Sequence, residues 1–95
     1  MESRPRHVLE LAPAAGRDLE KLPPDAYAIA REGIQELERE LFPRRSQKLG
    51  GTPGYRWKKR DVRILDVVSG DHLLVTVVRI SDRKEAYGRR AQRRF

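Results

Sequence analysis

The stretch Tyr55-Arg56-Trp57-Lys58-Lys59-Arg60-Asp61-Val62-Arg63-Ile64-Leu65, answered further on by Leu73-Leu74-Val75-Thr76-Val77-Val78-Arg79-Ile80-Ser81-Asp82-Arg83-Lys84-Glu85-Ala86-Tyr87, decides the fold. Cationic side chains alternate with apolar or aromatic ones, and successive side chains of a strand point to opposite faces, so the cations gather on one face of a pleated sheet and the apolar residues on the other. Such a sheet can pack on a core from one side and hold a polyanion on the other.

Working outward, three strands are expected at about residues 55–59, 62–68 and 72–80, the last two joined by a turn at Ser69-Gly70-Asp71. The apolar run from Leu73 to Val78 reads as a central strand covered on both faces. Upstream, residues 44–54 contain Gly50-Gly51 and Pro53-Gly54 and read as a loop, with Lys48 and the glycines after it supporting the loop geometry. Before the loop, Ala26, Ile29, Ala30, Ile34, Leu37 and Leu41 form one stripe of a helix from Asp25 to about Phe42, stopped by Pro43. Gly33 lies within that stripe, where a glycine costs about 1 kcal/mol relative to alanine and allows a close neighbour. Ala15, Leu19 and Leu22 mark a shorter amphipathic helix closed by Pro23-Pro24, and Leu9 and Leu11 share one face of an edge strand that starts near His7.

The expected architecture is therefore α+β: one small domain over residues 1–95, with a core at about 8–88, a basic tail at 89–95, and the order β-α-α-β-β-β followed by a short C-terminal helix or arm. The sheet is expected to be four-stranded and rich in antiparallel pairs, with the two-helix hairpin packed on it. Ninety-five residues bury a single modest core, so any polar active site lies near the surface.

Charge is unevenly spread. Residues 1–43 hold six Lys/Arg against nine Asp/Glu, whereas residues 44–95 hold fifteen against five, within a formal net charge of +7. A basic half of this kind favours nucleic acid or another acidic surface. The absence of cysteine excludes disulfides, a thiolate nucleophile and a Cys-based zinc site, and neither metal nor cofactor is expected. The N-terminal residues lack the apolar run of a signal peptide, and no stretch approaches a membrane span, so a cytoplasmic location is expected.

Read in order, Lys48-Leu49-Gly50-Gly51, Gly54-Tyr55-Arg56, Val62-Arg63-Ile64-Leu65, Val77-Val78-Arg79-Ile80 and Asp82-Arg83-Lys84-Glu85-Ala86-Tyr87 resemble the RelE group of the RelE/ParE bacterial toxins, over roughly residues 8 to 88. The resemblance implies the same α+β architecture. It also implies a ribosome-dependent endoribonuclease that cuts mRNA in the 30S A site, leaves a 2′,3′-cyclic phosphate and a 5′-hydroxyl, and is silenced by a cognate antitoxin. Such cleavage needs a group to take the 2′-hydroxyl proton, cations to stabilise charge on the phosphorus centre and a group to protonate the leaving oxygen. Histidine would be the ordinary choice, but His7 and His72 are far apart in sequence and form no recognisable pair.

The family uses a basic and tyrosine cluster instead. Its two strand lysines match Arg56 and Lys58, the first only in charge; its phosphate-binding arginine matches Arg63; and its later arginine and closing tyrosine match Arg83 and Tyr87. The resemblance thus implies Lys58, Arg63, Arg83 and Tyr87 as catalytic residues, with Lys48, Arg56, Lys59, Arg60, Lys84, Arg89 and Arg90 binding RNA. Many members carry a histidine just before the later arginine, where this chain has Asp82, a carboxylate that could neutralise Arg83 or act as a base. The general base stays open between Lys58, Tyr87 and Asp82.

Plain structural roles compete with these. Exposed strand cations solubilise and protect edges, Arg63 could pair with Asp61 or Asp66 to offset burial, and Tyr55 and Trp57 fit the scaffold better than a base-stacking platform. Two other functions keep the fold: a ParE-like gyrase poison, and a non-catalytic basic domain that binds RNA or the ribosome.

Overall fold

The computed structural model describes residues 7–71 and 73–83. Lys84, Tyr87, Arg89, Arg90, His72 and the expected C-terminal helix or arm lie outside the described residues. The described chain runs β1 (Val8–Leu11), α1 (Pro13–Glu20), α2 (Pro24–Arg39), β2 (Ser46–Lys48), β3 (Gly54–Lys59), β4 (Val62–Ser69) and β5 (Leu74–Asp82).

Apolar alternation in the three long strands builds an antiparallel meander. Lys59 faces Val62 across the β3–β4 turn, where Arg60 takes φ 55, and β4 pairs antiparallel with β5. β1 joins the outer side of β5 in parallel, with Val8 opposite Leu74 and Leu11 opposite Val77. The sheet order is β1-β5-β4-β3-β2. It has five strands where four were expected, because residues 46–48 of the supposed loop pair antiparallel with β3. This short edge strand carries no apolar alternation of its own; its backbone pairing with β3 makes it a strand. The glycine-rich turn after it does behave as expected: Lys48 Nζ donates to the Thr52 carbonyl (2.8 Å) and lies 5.4 Å over the Tyr55 ring.

β5 is an interior strand, as its apolar run implied, but its burial alternates instead of being uniform. Val75, Val77, Ile80 and Asp82 are buried while Leu74, Thr76 and Val78 are half-buried. The three-residue step from Val77 to Ile80 is absorbed by a bulge: Asp66 faces Val77 and Leu65 faces Arg79, which leaves Val78 unopposed. Both helices pack on the face bearing Trp57, Val62, Ile64, Val77 and Ile80. α2 supplies Ala26, Ala30, Ile34 and Leu37, the stripe legible in the sequence, although the helix ends at Arg39. Its small residues let it approach closely. A Cβ on Gly33 would stand 2.6 Å from Ile64 Cδ1 and 2.8 Å from Trp57 Cζ3.

Polar links pin the helices to the sheet. His7 Nε2 meets the Leu37 carbonyl at 2.7 Å, and since a carbonyl only accepts, that nitrogen carries the proton and satisfies one of the last carbonyls of α2. The Asp18 carboxylate accepts from Arg79 Nε (2.8 Å) and from the Ile80 backbone N–H (2.9 Å), closing the length of β5 that β1 does not reach. The Arg79 hydrogen bond holds the Asp18 carboxyl below the usual carboxylate range, against the opposing effect of burial. No described helix is long and apolar enough to cross a membrane.

Candidate functional site

Register assigns the side chains to faces. On β3, Trp57 and Lys59 share the helix-covered face, because they stand opposite the buried Ile64 and Val62. Arg56 and Lys58 therefore point to the other face, which no described helix covers. Lys58 stands directly opposite Arg63 of β4, and Arg63 directly opposite Ser81 of β5. A row Lys58–Arg63–Ser81 thus crosses three strands on the open face. Arg83 follows at the end of β5, exposed, with its N–H donated to the Asp61 carbonyl (2.7 Å) beside the β3–β4 turn.

The row is electrostatically unsatisfied. Like charges opposite one another on a sheet repel, and Lys58 faces Arg63 with no described carboxylate bonded to either. Arg63 is half-buried, and its Nη1 is out of water without a hydrogen-bond partner. Asp61 and Asp66, the partners a structural role would supply, do not pair with it: Asp66 lies on the helix side, opposite Tyr55 and Val77. Arg56, diagonal to Arg63, donates Nη2 to Gln47 of β2 (3.3 Å) and also leaves its Nε buried without a partner. Two guanidinium groups with undersatisfied N–H groups, next to a lysine, form a ready receptor for a phosphate or another oxyanion.

Other residues singled out from the sequence stand elsewhere. Lys59 points to the helix face, where its Nζ is paired with Glu32 (2.7 Å), and this hydrogen bond lowers the Glu32 pKa. Asp82 is buried on the helix side beside Val62 and lines a small pocket with Asp25, Ile29, Arg60 and Asp61. Its carboxylate thus belongs to the face opposite the Lys58–Arg63 row. Trp57 is fully buried, its indole Nε1 donating to Glu36 (2.9 Å), and the Tyr55 ring packs 4.9 Å from Phe42, so both aromatics are scaffold. Among the described residues no group of three or more His, Cys, Asp or Glu could hold a metal ion.

A groove that sequence reading missed opens at the β2 margin of the sheet. It measures about 660 Å³ and is lined by Arg56, Lys58 and Arg60 of the β3–β4 hairpin and by Arg44 and Arg45, the latter accepting the Lys58 N–H at its carbonyl (3.2 Å), with Gln47, Lys59 and Glu36 completing its walls. The signal was the pair Arg44-Arg45 directly after the helix stop at Pro43, but a loop assignment gave it no position.

No family model matches the sequence, and no curated protein matches it. Solved structures do. The RelBE2 toxin–antitoxin complex of Mycobacterium tuberculosis contains a chain 25% identical, with a TM-score of 0.67 over 82% of this chain and 92% of that one. The RelB–RelE antitoxin–toxin complex of Methanococcus jannaschii gives 25% identity and a TM-score of 0.66 over 85% and 96%. The isolated RelE toxin of E. coli, 17% identical, superposes with a TM-score of 0.68 over 94% and 99%.

Proposed function

In fold the chain belongs to the RelE toxin superfamily, and from that premise we propose that it is the toxin of a type II toxin–antitoxin pair, an endoribonuclease that cuts mRNA in the ribosomal A site and is silenced by a cognate antitoxin. The observation that carries this reading is the opposed pair Lys58–Arg63, two cations set face to face on an open sheet with a buried N–H of Arg63 unanswered. A scaffold would avoid that arrangement, whereas a phosphodiester bridging the two cations would satisfy it.

In the proposed reaction the RNA 2′-oxygen attacks the adjacent phosphorus, the bond to the 5′-oxygen breaks, and a 2′,3′-cyclic phosphate and a 5′-hydroxyl result. Arg63 grips the scissile phosphate with its fork, and Lys58 and Arg83 neutralise the charge that grows on the non-bridging oxygens. Tyr87, outside the described residues, stacks on the RNA or moves a proton. Burial of Asp82 on the helix side supports placing the general base with Lys58 or Tyr87 instead. Arg56 orients the strand from the neighbouring row. The antitoxin partner follows from the toxin–antitoxin complexes among the similar structures, and the site of action is the cytoplasm, where mRNA is translated.

The test is controlled expression in a bacterium with primer extension on a translated reporter mRNA. Cuts inside translated codons are expected, absent when translation of that reporter is blocked, and lost in Arg63→Ala while antitoxin binding persists. Uncut mRNA accompanied by altered plasmid supercoiling would move the protein to gyrase poisoning, and equal toxicity of Arg63→Ala would remove the nuclease assignment.

A further inference from the structure

We propose that the groove at the β2 margin is a sequence-independent clamp for the RNA backbone, separable from the cleavage row, with Arg44 and Arg45 as its distal grip. The inference rests on the nuclease reading and adds a second contact region to it. Six cations line the groove: Arg44, Arg45, Arg56, Lys58, Lys59 and Arg60. Lys59 is neutralised by Glu32, and the one carboxylate in the lining, Glu36, is engaged by the Trp57 indole. Among the described residues Arg44, Arg45, Lys58 and Arg60 make no ion pair.

Two features select the occupant. The lining has no aromatic or aliphatic side chain, so a protein partner would find no apolar anchor of the kind that dominates protein interfaces. For the same reason a base would find nothing to stack on, since Tyr55 packs on Phe42 and Trp57 is buried. What remains is charge with forked donors, which suits phosphates and carries no sequence information. Because Arg56 and Lys58 belong both to the groove and to the open face, and the Lys58 N–H donates to the Arg45 carbonyl (3.2 Å), a strand held at the Lys58–Arg63 row continues over the sheet margin to Arg45 and Arg44.

The experiment measures binding of the intact chain to fluorescent single-stranded oligo-U and oligo-A across a salt series, comparing wild type with Arg44→Ala/Arg45→Ala. Loss of two phosphate contacts lowers the slope of log affinity against log salt by about 1.4, so a fourfold rise in salt penalises the variant about sevenfold less than wild type. The expected result is that decrease, equal on both oligomers, with Tm unchanged and the mRNA cut positions unchanged in the primer-extension assay. An unchanged slope, a loss confined to one oligomer, or weakened binding to the antitoxin with RNA binding intact would overturn the clamp. A wild type that cuts mRNA while the variant binds RNA like wild type removes the clamp and keeps the nuclease; a slope that falls in a protein that never cuts does the reverse.

Discussion

Asp66 is the residue most at odds with its surroundings. It is 1% exposed on the helix side of β4, and neither carboxylate oxygen has a hydrogen-bond partner. Burial pushes its carboxyl up to about 7. An unfolded aspartate ionises near pH 4, so between about pH 4 and 7 the native state holds a proton that the unfolded chain has released. The favourable difference is complete below the unfolded value and drains away as pH rises through that window, a loss on the order of 4 kcal/mol by pH 8. Urea unfolding from pH 4 to 9 should therefore show stability falling with pH, and Asp66→Asn should flatten the curve. A wild-type curve flat over that range would show the charge to be solvated after all. Nothing in the residue pattern announced this site, since Asp66 falls within an alternating strand where its facing depends on register, and an ionisable group on a core face looks like any polar residue at a strand position.

At the scale of elements, the outer edge of β5 shows how one side chain finishes a sheet. β1 stops at Leu11, and Asp18 takes over by accepting the Ile80 N–H and the Arg79 guanidinium. Asp18→Ala removes all three hydrogen bonds, two from Arg79 and one from the Ile80 N–H, and should cost about 1–3 kcal/mol, with the Ile80 amide exchanging its hydrogen faster than the neighbouring strand amides; unchanged protection of Ile80 would contradict the role. Because the Arg79 hydrogen bond depresses the Asp18 pKa, its contribution is present above the unfolded value and lost as pH falls through the lowered one. Elements with strong periodicity were legible in advance: the α2 stripe, the β3–β4 hairpin and the pairing of Arg56 with Lys58 on one face all follow from spacing. β2 was not, because three polar residues become a strand only through a partner. The groove was lost with it, while Arg56 and Lys58 were readable from alternation as one face of β3; setting Lys58 opposite Arg63 and leaving both without counter-charge needed the register.

Across the whole molecule, the acidic first part of the chain forms the helices and the basic remainder forms the meander and its margins. Such a separation steers an acidic partner toward the strand-rich side from a distance. The antitoxin's association rate should consequently fall steeply as ionic strength rises from 50 to 500 mM while its dissociation rate changes little, as stopped-flow mixing would show. A salt-dependent dissociation rate with constant association would place the charges inside the final contact instead.

The parallel ladder between β1 and β5 joins the first described strand to the last, with Val8 opposite Leu74. A chain emerging vectorially from its own ribosome therefore makes β1 long before it has anything to pair with, and the β1–β5 ladder closes only after residues through Val77 have appeared. Contacts of such high sequence separation form late in folding. Since β5 also carries Ser81 into the row beside Arg63, the cluster is incomplete on every shorter nascent chain. The topology acts as a timing device: the Lys58–Arg63–Ser81 row comes together only once the chain through Ser81 has left the ribosome that makes it.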